Sequence, residues 1–194
     1  MVGVGRQRKH LFTLFFKMNY QTNLSDPQCE AKAHAKYAAQ ASKVIVEIGV
    51  LFGETTRLLL ENSNCTVVGI DPIIPDSMNE RLIGDLEKIN NLVKGYDRFV
   101  FLKDFSYNIV KIWEKKIDYL FIDGDHAYNA VKRDFEEWFP FVKSGGVVSI
   151  HDSTANRGGP HNWPGPSQLA DELIKDNRVK YLEAVGVLTV FEKL

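Results

Sequence analysis

Short apolar runs alternate with amphipathic stretches along most of the chain, which is the pattern of strands separated by helices. Runs rich in β-branched and aromatic residues predict strands near residues 44–48, 65–70, 98–103, 117–122, 145–150, 179–184 and 186–192. Helix-start signals and helical spacing predict helices near 54–62, 77–94, 106–115, 127–142 and 166–176, after a first helix from Asp26–Pro27 to Gln40.

The last two predicted strands are separated only by Gly186, so we expect them to pair as an antiparallel hairpin. The other strands alternate with helices, which is typical of parallel pairing through helical crossovers. The pattern therefore predicts an α/β fold with a doubly wound, mostly parallel seven-stranded sheet that contains one antiparallel strand.

Length and composition favour one domain and exclude several partners. The 194 residues divide into an arm over residues 1–26, which has no clear period, and a predicted domain over residues 27–194. With 24 basic and 25 acidic residues, the chain has no excess charge to steer it onto nucleic acid, and its apolar runs are too short to span a membrane. Cys29 and Cys65 have no metal-ligand spacing, so we expect reduced thiols in a cytoplasmic protein. A homodimer is left open by the sequence.

The densest motif is VIVEIGVLFGETT, from Val44 to Thr56, which predicts a buried strand, a glycine turn and a helix start. Gly49 and Gly53 allow a tight turn and close approach of the backbone to a ligand. The free N–H groups of the helix beginning near Thr55 would face that ligand. This arrangement forms the phosphate or carboxylate cradle of doubly wound proteins, although an ordinary tight turn explains the glycines equally well.

Asp71 follows the second predicted strand, about twenty residues after the glycine turn, where a carboxylate can accept both hydroxyls of a ribose. A turn-capping role is the alternative. The two features together favour a ribose-containing cofactor, either a nicotinamide dinucleotide or S-adenosylmethionine. Leu51 and Glu54 replace two glycines of the dinucleotide fingerprint, and a glutamate would repel a pyrophosphate but tolerate an ammonium group. S-adenosylmethionine is therefore the better fit.

A second polar cluster follows two later strands. Asp123, Asp125 and His126 come directly after one strand, and His151 and Asp152 after the next. Because ligands bind at the carboxyl edge of such sheets, we expect these side chains to meet over one crevice. For each residue alone a structural role is the alternative: Asp125 can cap a helix, and His126 can bond a backbone carbonyl.

These motifs resemble the class I S-adenosylmethionine-dependent methyltransferases, and most closely the small O-methyltransferases of the catechol and caffeoyl-coenzyme A type. The similarity covers roughly residues 30–194 and implies a Rossmann-like methyltransferase fold that methylates a hydroxyl oxygen of a small molecule. By similarity to the EIGxxxG motif, the segment EIGVLFG would hold the methionine part of the cofactor through Glu47, Gly49, Gly53 and Thr55. The remaining cofactor contacts implied by the resemblance are Asp71 at the ribose, Phe105 and Ser106 of LKDFS beside the adenine, and Asp123.

The resemblance also implies a metal and a base. Asp123 matches the metal-ligating aspartate of the family, and His151–Asp152 replaces the Asp-Asn pair of its metal-dependent members. A site of Asp123, His151 and Asp152 would hold one divalent ion, Mg²⁺, Mn²⁺ or Ca²⁺, with the imidazole shifting preference toward transition metals. His126 falls where the family carries a catalytic lysine. We expect direct displacement, in which Asp123 orients the metal or the hydroxyl and His126 removes the proton.

The segment 153–166 is rich in glycine and proline and is a candidate lid, with His161 and Trp163 facing substrate. An ordinary surface connection is the alternative. Two other functional classes stay open from the sequence: a nicotinamide-dependent oxidoreductase and a non-catalytic S-adenosylmethionine-binding protein.

Overall fold

The computed structural model describes residues 28–155 and 163–194. Its strands are β1 Val44–Ile48, β2 Thr66–Ile70, β3 Phe99–Leu102, β4 Ile117–Ile122, β5 Val142–Ile150, β6 Val179–Val185 and β7 Leu188–Lys193. Its helices are α1 Gln28–Gln40, α2 Glu54–Asn62, α3 Leu86–Leu92, α4 Ser106–Ile109, α5 Tyr128–Trp138 and α6 Pro164–Leu173.

The strands form one seven-stranded sheet in the order β3-β2-β1-β4-β5-β7-β6. The pairs from β3 to β5 are parallel, and β7 runs antiparallel to both of its neighbours, β5 and β6. This confirms the predicted fold class, including the closing hairpin and the single antiparallel strand.

Both faces of the sheet are covered, as expected for central strands such as β1 and β4 that are buried at every position. On one face β1 and β4 pack against Val131, Phe135 and Trp138 of α5 and against residues of α6. On the other face they pack against α1 and α2, which contribute buried side chains such as Tyr37 and Leu59. The central strands β1 and β4 are therefore held rigidly, and their carboxyl ends have fixed positions.

Backbone hydrogen bonds join those carboxyl ends to one another. The N–H of Gly49 donates to the carbonyl of Ile70 at 2.9 Å, and the N–H of Asp123 donates to Ile48 at 2.8 Å. One strand further along, the N–H of His151 donates to Ile122 at 3.0 Å. The residues that follow β1, β4 and β5 consequently lie side by side along one edge.

The predicted helix over 77–94 is wrong in its first half, because only Leu86–Leu92 is helical. The carboxylate of Asp76 accepts from the N–H groups of Met78 and Asn79, and Asp85 caps α3 by accepting from Glu87 and Lys88. Short polar side chains that bond the nearby backbone in this way compete with helix formation. The result is a loop over residues 71–85, which we call the β2–α3 loop.

The predictions about the N-terminal arm and about membrane spans can be compared only with the residues that the structure describes. The arm over 1–26 lies outside them, so the proposed boundary of the domain at residue 27 stays a prediction. Within residues 28–155 and 163–194, no helix combines the length and the apolar character needed to cross a membrane.

The close approach of the backbone at Gly49 generates a stability prediction. Gly49 has φ +84°, and a Cβ added to it would lie 2.0 Å from the carbonyl oxygen of Asp123. Gly95 has a similar φ, +92°, but an added Cβ would meet nothing within 4 Å. Gly49→Ala should therefore cost several kcal/mol or prevent folding, whereas Gly95→Ala should cost only about 1–2 kcal/mol of left-handed strain. Urea unfolding of both variants measures the difference, and equal losses would contradict the close approach.

Candidate active site

The carboxylate of Asp71 holds the glycine turn after β1 through hydrogen bonds to its backbone. Gly49 and Gly53 both adopt positive φ, as does Leu51 between them at 52°. The Oδ2 atom of Asp71 accepts from the N–H groups of Val50 at 2.9 Å and Leu51 at 3.0 Å. Asp71 thereby fixes the turn that leads into α2.

Asp71 is buried, and its Oδ1 atom accepts a third backbone bond, from Ile73 at 2.7 Å. A carboxylate offers about four acceptor positions, so about one remains for a ligand. The structure thus places Asp71 where the sequence predicted it, at the tip of β2. Most of its acceptor positions, however, are already occupied by backbone N–H groups.

Glu47 of β1 is buried directly beneath the turn, and its Oε2 accepts from the hydroxyl of Thr56. Burial raises its pKa to about 8, an effect that the Thr56 bond opposes and that the charges of Asp123 and Asp71 reinforce. Glu47 is therefore largely protonated at neutral pH, and a cation arriving between these carboxylates would favour its ionised form.

The predicted adenine contacts are divided between two roles. Phe105 is 36% exposed at the edge of the fold and stacks on Tyr107 with the ring centroids 4.9 Å apart. Ser106 instead is buried and donates its hydroxyl to Asp134 of α5. Burial raises the pKa of Asp134 to about 6 despite that bond. Sequence reasoning missed Asp134, which lies within the apolar stripe of α5 and gave no signal of its own.

His126 lies between two carboxylates. Its Nδ1 is 2.8 Å from Oδ2 of Asp76, and its Nε2 is 2.9 Å from Oδ2 of Asp152. The ring stacks on Trp163, with centroids 4.1 Å apart and planes inclined by 26°. The imidazole is thus fixed at both nitrogens and on one face.

This environment decides the charge of His126. Burial opposes the charged form, but hydrogen bonds to Asp152 and Asp76 outweigh it and raise the pKa to about 8. At neutral pH the ring is mainly an imidazolium, whose two nitrogens both carry protons. In that form it has no lone pair with which to accept a proton from a substrate.

His151 occupies the second position between acidic groups. Its Nδ1 is 3.0 Å from Oδ1 of Asp123 and 3.5 Å from Oδ2 of Asp152, though aligned for a hydrogen bond with neither. Its Nε2 is 3.4 Å from Glu30 of α1. Burial opposes its charge, but the charge of Asp123 prevails and the pKa of His151 is raised well above its usual value.

Glu30 was not predicted as a site residue, because α1 precedes the motifs and shows only an alanine-rich pattern. Its Oε1 accepts from the N–H of Val187, and a Cβ at Gly186 would lie 2.0 Å from the same atom. The hairpin between β6 and β7 therefore holds the Glu30 side chain toward His151.

The residues placed so that they could hold a metal ion differ in one member from the predicted set. Asp123, His126 and Asp152 each offer one ligand atom, and these atoms lie within 4.8 Å of one another. His151, which was predicted as the imidazole ligand, does not belong to this group although it contacts both carboxylates. Asp152 reaches this position with φ 50°, a strained conformation for a residue other than glycine.

Asp125 bonds the chain next to α5 but does not cap that helix, which has Ala127 at its N-cap and no side-chain cap. Its Oδ1 accepts from the N–H of Ala127 at 2.8 Å, next to the start of α5, and from the hydroxyl of Ser77 at 2.6 Å. Of the candidate lid, Trp163 is described and packs on His126, whereas His161 lies outside the described residues.

The comparison with protein families decides the class of this site. Residues 46–153, more than half of the chain, match the family described as a methyltransferase domain. The chain belongs to this methyltransferase family. The matched segment runs from β1 through the glycine turn and Asp71 to the end of β5, and so contains nearly all of the site. This confirms the predicted membership of the class I methyltransferases.

The individual relatives are distant. An uncharacterized protein of Acanthamoeba polyphaga mimivirus is 30% identical over 134 residues, covering 66% of this chain and 59% of its own length. An uncharacterized protein of Sinorhizobium fredii is 36% identical over 68 residues, 35% of this chain and 8% of its own. The methyltransferase chain thus spans less than two thirds of the length of these curated relatives.

Solved structures support the fold. The O-methyltransferase NovP superposes with a TM-score of 0.69 at 16% identity, covering 84% of this chain and 79% of its own. An O-methyltransferase from Bacillus cereus, in complex with SAH, superposes with a TM-score of 0.63 at 16% identity, covering 95% of this chain and 90% of its own. The O-methyltransferase TomG from Streptomyces achromogenes, in complex with SAM, superposes with a TM-score of 0.61 at 14% identity, covering 88% of this chain and 82% of its own. These likenesses show that the methyltransferase has the Rossmann-like fold.

The buried Glu47 generates a pH prediction. Its pKa in the folded protein is about 8, compared with the ordinary value of 4.5. At a pH between these two values, Glu47 is protonated in the folded protein and ionised in the unfolded chain. Stability from this residue is therefore lost as pH rises from about 5 to 8, by roughly 3–5 kcal/mol. Glu47→Gln should remove this pH dependence when unfolding free energies are measured by urea titration at both pH values.

Glu61→Gln, at an exposed position of the same helix that carries Thr56, serves as the control and should follow the wild type. If the wild type and Glu47→Gln lose the same stability over this pH range, Glu47 is not protonated in the folded protein.

Proposed function

We propose that this chain transfers a methyl group from S-adenosylmethionine to a hydroxyl oxygen of a small molecule, assisted by one divalent metal ion. The observation that carries the proposal is the contact between the turn at Gly49 and the backbone of Asp123, which sets the family's cofactor-binding segment directly against the acidic edge of β4 and β5. A methyl donor in the turn would present its sulfonium beside that edge.

The cofactor fits the charges beneath the turn. The pKa of Glu47 is raised mainly by burial and further by the charges of Asp123 and Asp71. A cofactor bearing an ammonium and a sulfonium would balance these carboxylates. We assign the methionine part to Glu47, Gly49, Gly53 and Thr55.

The adenosyl part would extend toward β2 and β3. We assign one ribose hydroxyl to the remaining acceptor position of Asp71, and the adenine to the surface beside Phe105. Ser106 acts through its bond to Asp134, which fixes the start of α4 against α5. A dinucleotide is disfavoured, because its pyrophosphate would lie against these same carboxylates.

The ligand set of Asp123, Asp152 and His126 fits a divalent ion. Two carboxylates and one imidazole suit Mn²⁺ or a similar transition ion better than Mg²⁺ or Ca²⁺, which prefer oxygen ligands alone. When bound, such an ion supplies a Lewis acid that lowers the pKa of the acceptor hydroxyl. The side chain of Asp123 is 28% exposed, so an acceptor could reach it from solvent.

The role of His126 changes with this assignment. Both of its nitrogens face carboxylates, Asp76 at Nδ1 and Asp152 at Nε2, so neither nitrogen is directed at an acceptor hydroxyl. We therefore assign His126 to holding the metal through Nε2, which gives up its proton when the ion binds, rather than to removing the substrate proton. Trp163 packs on its ring and would help to exclude water from that side.

The charge of the crevice limits the acceptor. In the described ranges, the ion pairs at this edge join carboxylates to imidazoles and involve neither lysine nor arginine. An anionic acceptor such as a phosphate ester would be repelled by this surface. We therefore propose a neutral or cationic hydroxyl compound, such as a phenol or an amino sugar.

The direct test is methyl transfer from isotope-labelled S-adenosylmethionine with Mn²⁺ present, using neutral phenols and sugars together with carboxylated or phosphorylated analogues. Labelled product and S-adenosylhomocysteine, measured by mass spectrometry, should appear with neutral or cationic acceptors. Asp123→Asn should lower turnover at least about 10²-fold, since it removes a charge at the reacting centre.

Asp97→Asn, at an exposed position after α3, is the matched control and should keep the wild-type rate. Full activity of Asp123→Asn would refute the assigned reacting centre. Transfer confined to anionic acceptors would refute the proposed acceptor class.

A further inference from the structure

Asp76 lies in the β2–α3 loop, outside every motif of the predicted site, yet it contacts both the backbone and the ring of His126. Its Oδ2 accepts from both the backbone N–H of His126 at 3.0 Å and the ring Nδ1 at 2.8 Å. One carboxylate oxygen therefore fixes the position of the His126 backbone and the orientation of its ring at once.

The carboxylate of Asp76 is itself held in place. Its Oδ1 accepts from the N–H groups of Met78 and Asn79 at 2.8 and 2.9 Å, and its own N–H donates to the carbonyl of Leu82 at 2.9 Å. Its side chain is only 7% exposed. Asp76 is thus a fixed acceptor and not a mobile surface carboxylate that happens to reach the imidazole.

The consequence concerns which nitrogen of His126 is available. A carboxylate on Nδ1 keeps the proton there, so Nε2 is the nitrogen that can give up its proton and bind a metal. Nε2 points toward Asp152, a member of the same ligand group. Histidines that ligate metals usually donate their other N–H to a carboxylate or carbonyl in this way.

We infer that Asp76 is a positioning residue that orients His126 for metal binding, so that the β2–α3 loop forms the outer layer of the metal site. This inference rests on the proposed function, since it presumes the ligand group of Asp123, His126 and Asp152. It adds that a loop leaving the cofactor side of the sheet controls the affinity for the ion.

The β2–α3 loop makes a second contact, which allows a control variant that loosens the loop without removing the carboxylate from the His126 ring. Ser77 donates its hydroxyl to Oδ1 of Asp125 at 2.6 Å, next to the Asp76–His126 pair but with no bond to the ring. Ser77→Ala therefore loosens the loop while leaving Nδ1 of His126 with its carboxylate. It is the matched control for Asp76→Asn, which retains the size of the side chain and removes its charge.

The experiment measures the dissociation constant of Mn²⁺ for the full chain by calorimetry, together with thermal unfolding and the affinity for S-adenosylhomocysteine. Asp76→Asn should weaken Mn²⁺ binding about 10–100-fold. Ser77→Ala should stay within about threefold of the wild type, and both variants should bind S-adenosylhomocysteine as the wild type does.

Unchanged Mn²⁺ affinity in Asp76→Asn would overturn the inference, as would an equal loss in Ser77→Ala. A wild type that binds S-adenosylhomocysteine but neither Mn²⁺ nor Zn²⁺ would overturn it while leaving the cofactor assignment intact. A wild type that binds no S-adenosylhomocysteine would instead refute the proposed function.

A second measurement needs no variant and covers the case in which Asp76→Asn fails to fold. Histidine ¹⁵N spectra of the Zn²⁺-loaded wild type should show the proton of His126 on Nδ1 and the metal on Nε2. A proton on Nε2 would overturn the inference.

Discussion

The site depends on the close approach of two strand ends, those of β1 and β4. At Gly49 the chain turns with positive φ so near to Asp123 that an added Cβ would lie 2.0 Å from its carbonyl oxygen. Because of this approach, the glycine turn and the polar residues after β4 form a single surface. The bonds from Gly49 to Ile70 and from Asp123 to Ile48 keep the neighbouring strand ends in register with it.

A second constraint is electrostatic. Carboxylates from α1, β1, the β2–α3 loop and the ends of β2, β4 and β5 converge on this surface, and in the described part of the chain their nearby cations are two imidazoles. Burial is the main cause of the raised pKa of Glu47. The excess of carboxylates adds to that effect and raises the pKa values of both histidines. A sulfonium cofactor and a divalent ion are the cations that would relieve it, and both belong to the same proposed reaction.

The sequence predicted the sheet well, because each strand is a short apolar run with clear boundaries. It failed over residues 77–85, where Asp76 and Asn79 bond the local backbone and prevent the helix that the composition suggested. The motif residues Asp123, His126, His151 and Asp152 do converge. Glu30 and Asp76 could not be found in this way, since each reaches its histidine from a distant segment, and only tertiary packing brings such residues together. The same packing places both ring nitrogens of His126 against carboxylates, which the sequence alone did not indicate.

The central claim is that the turn at Gly49 holds the methyl donor so that its sulfonium lies beside the acidic edge at Asp123. A crystal structure of the chain with S-adenosylhomocysteine and Mn²⁺ tests it most directly, with anomalous scattering locating the ion. The account predicts a ribose hydroxyl on Asp71, the sulfur beside Asp123, and Mn²⁺ bound by oxygens of Asp123 and Asp152 and by Nε2 of His126. S-adenosylhomocysteine bound away from Asp71 and Asp123, or Mn²⁺ bound outside this ligand group, would contradict it.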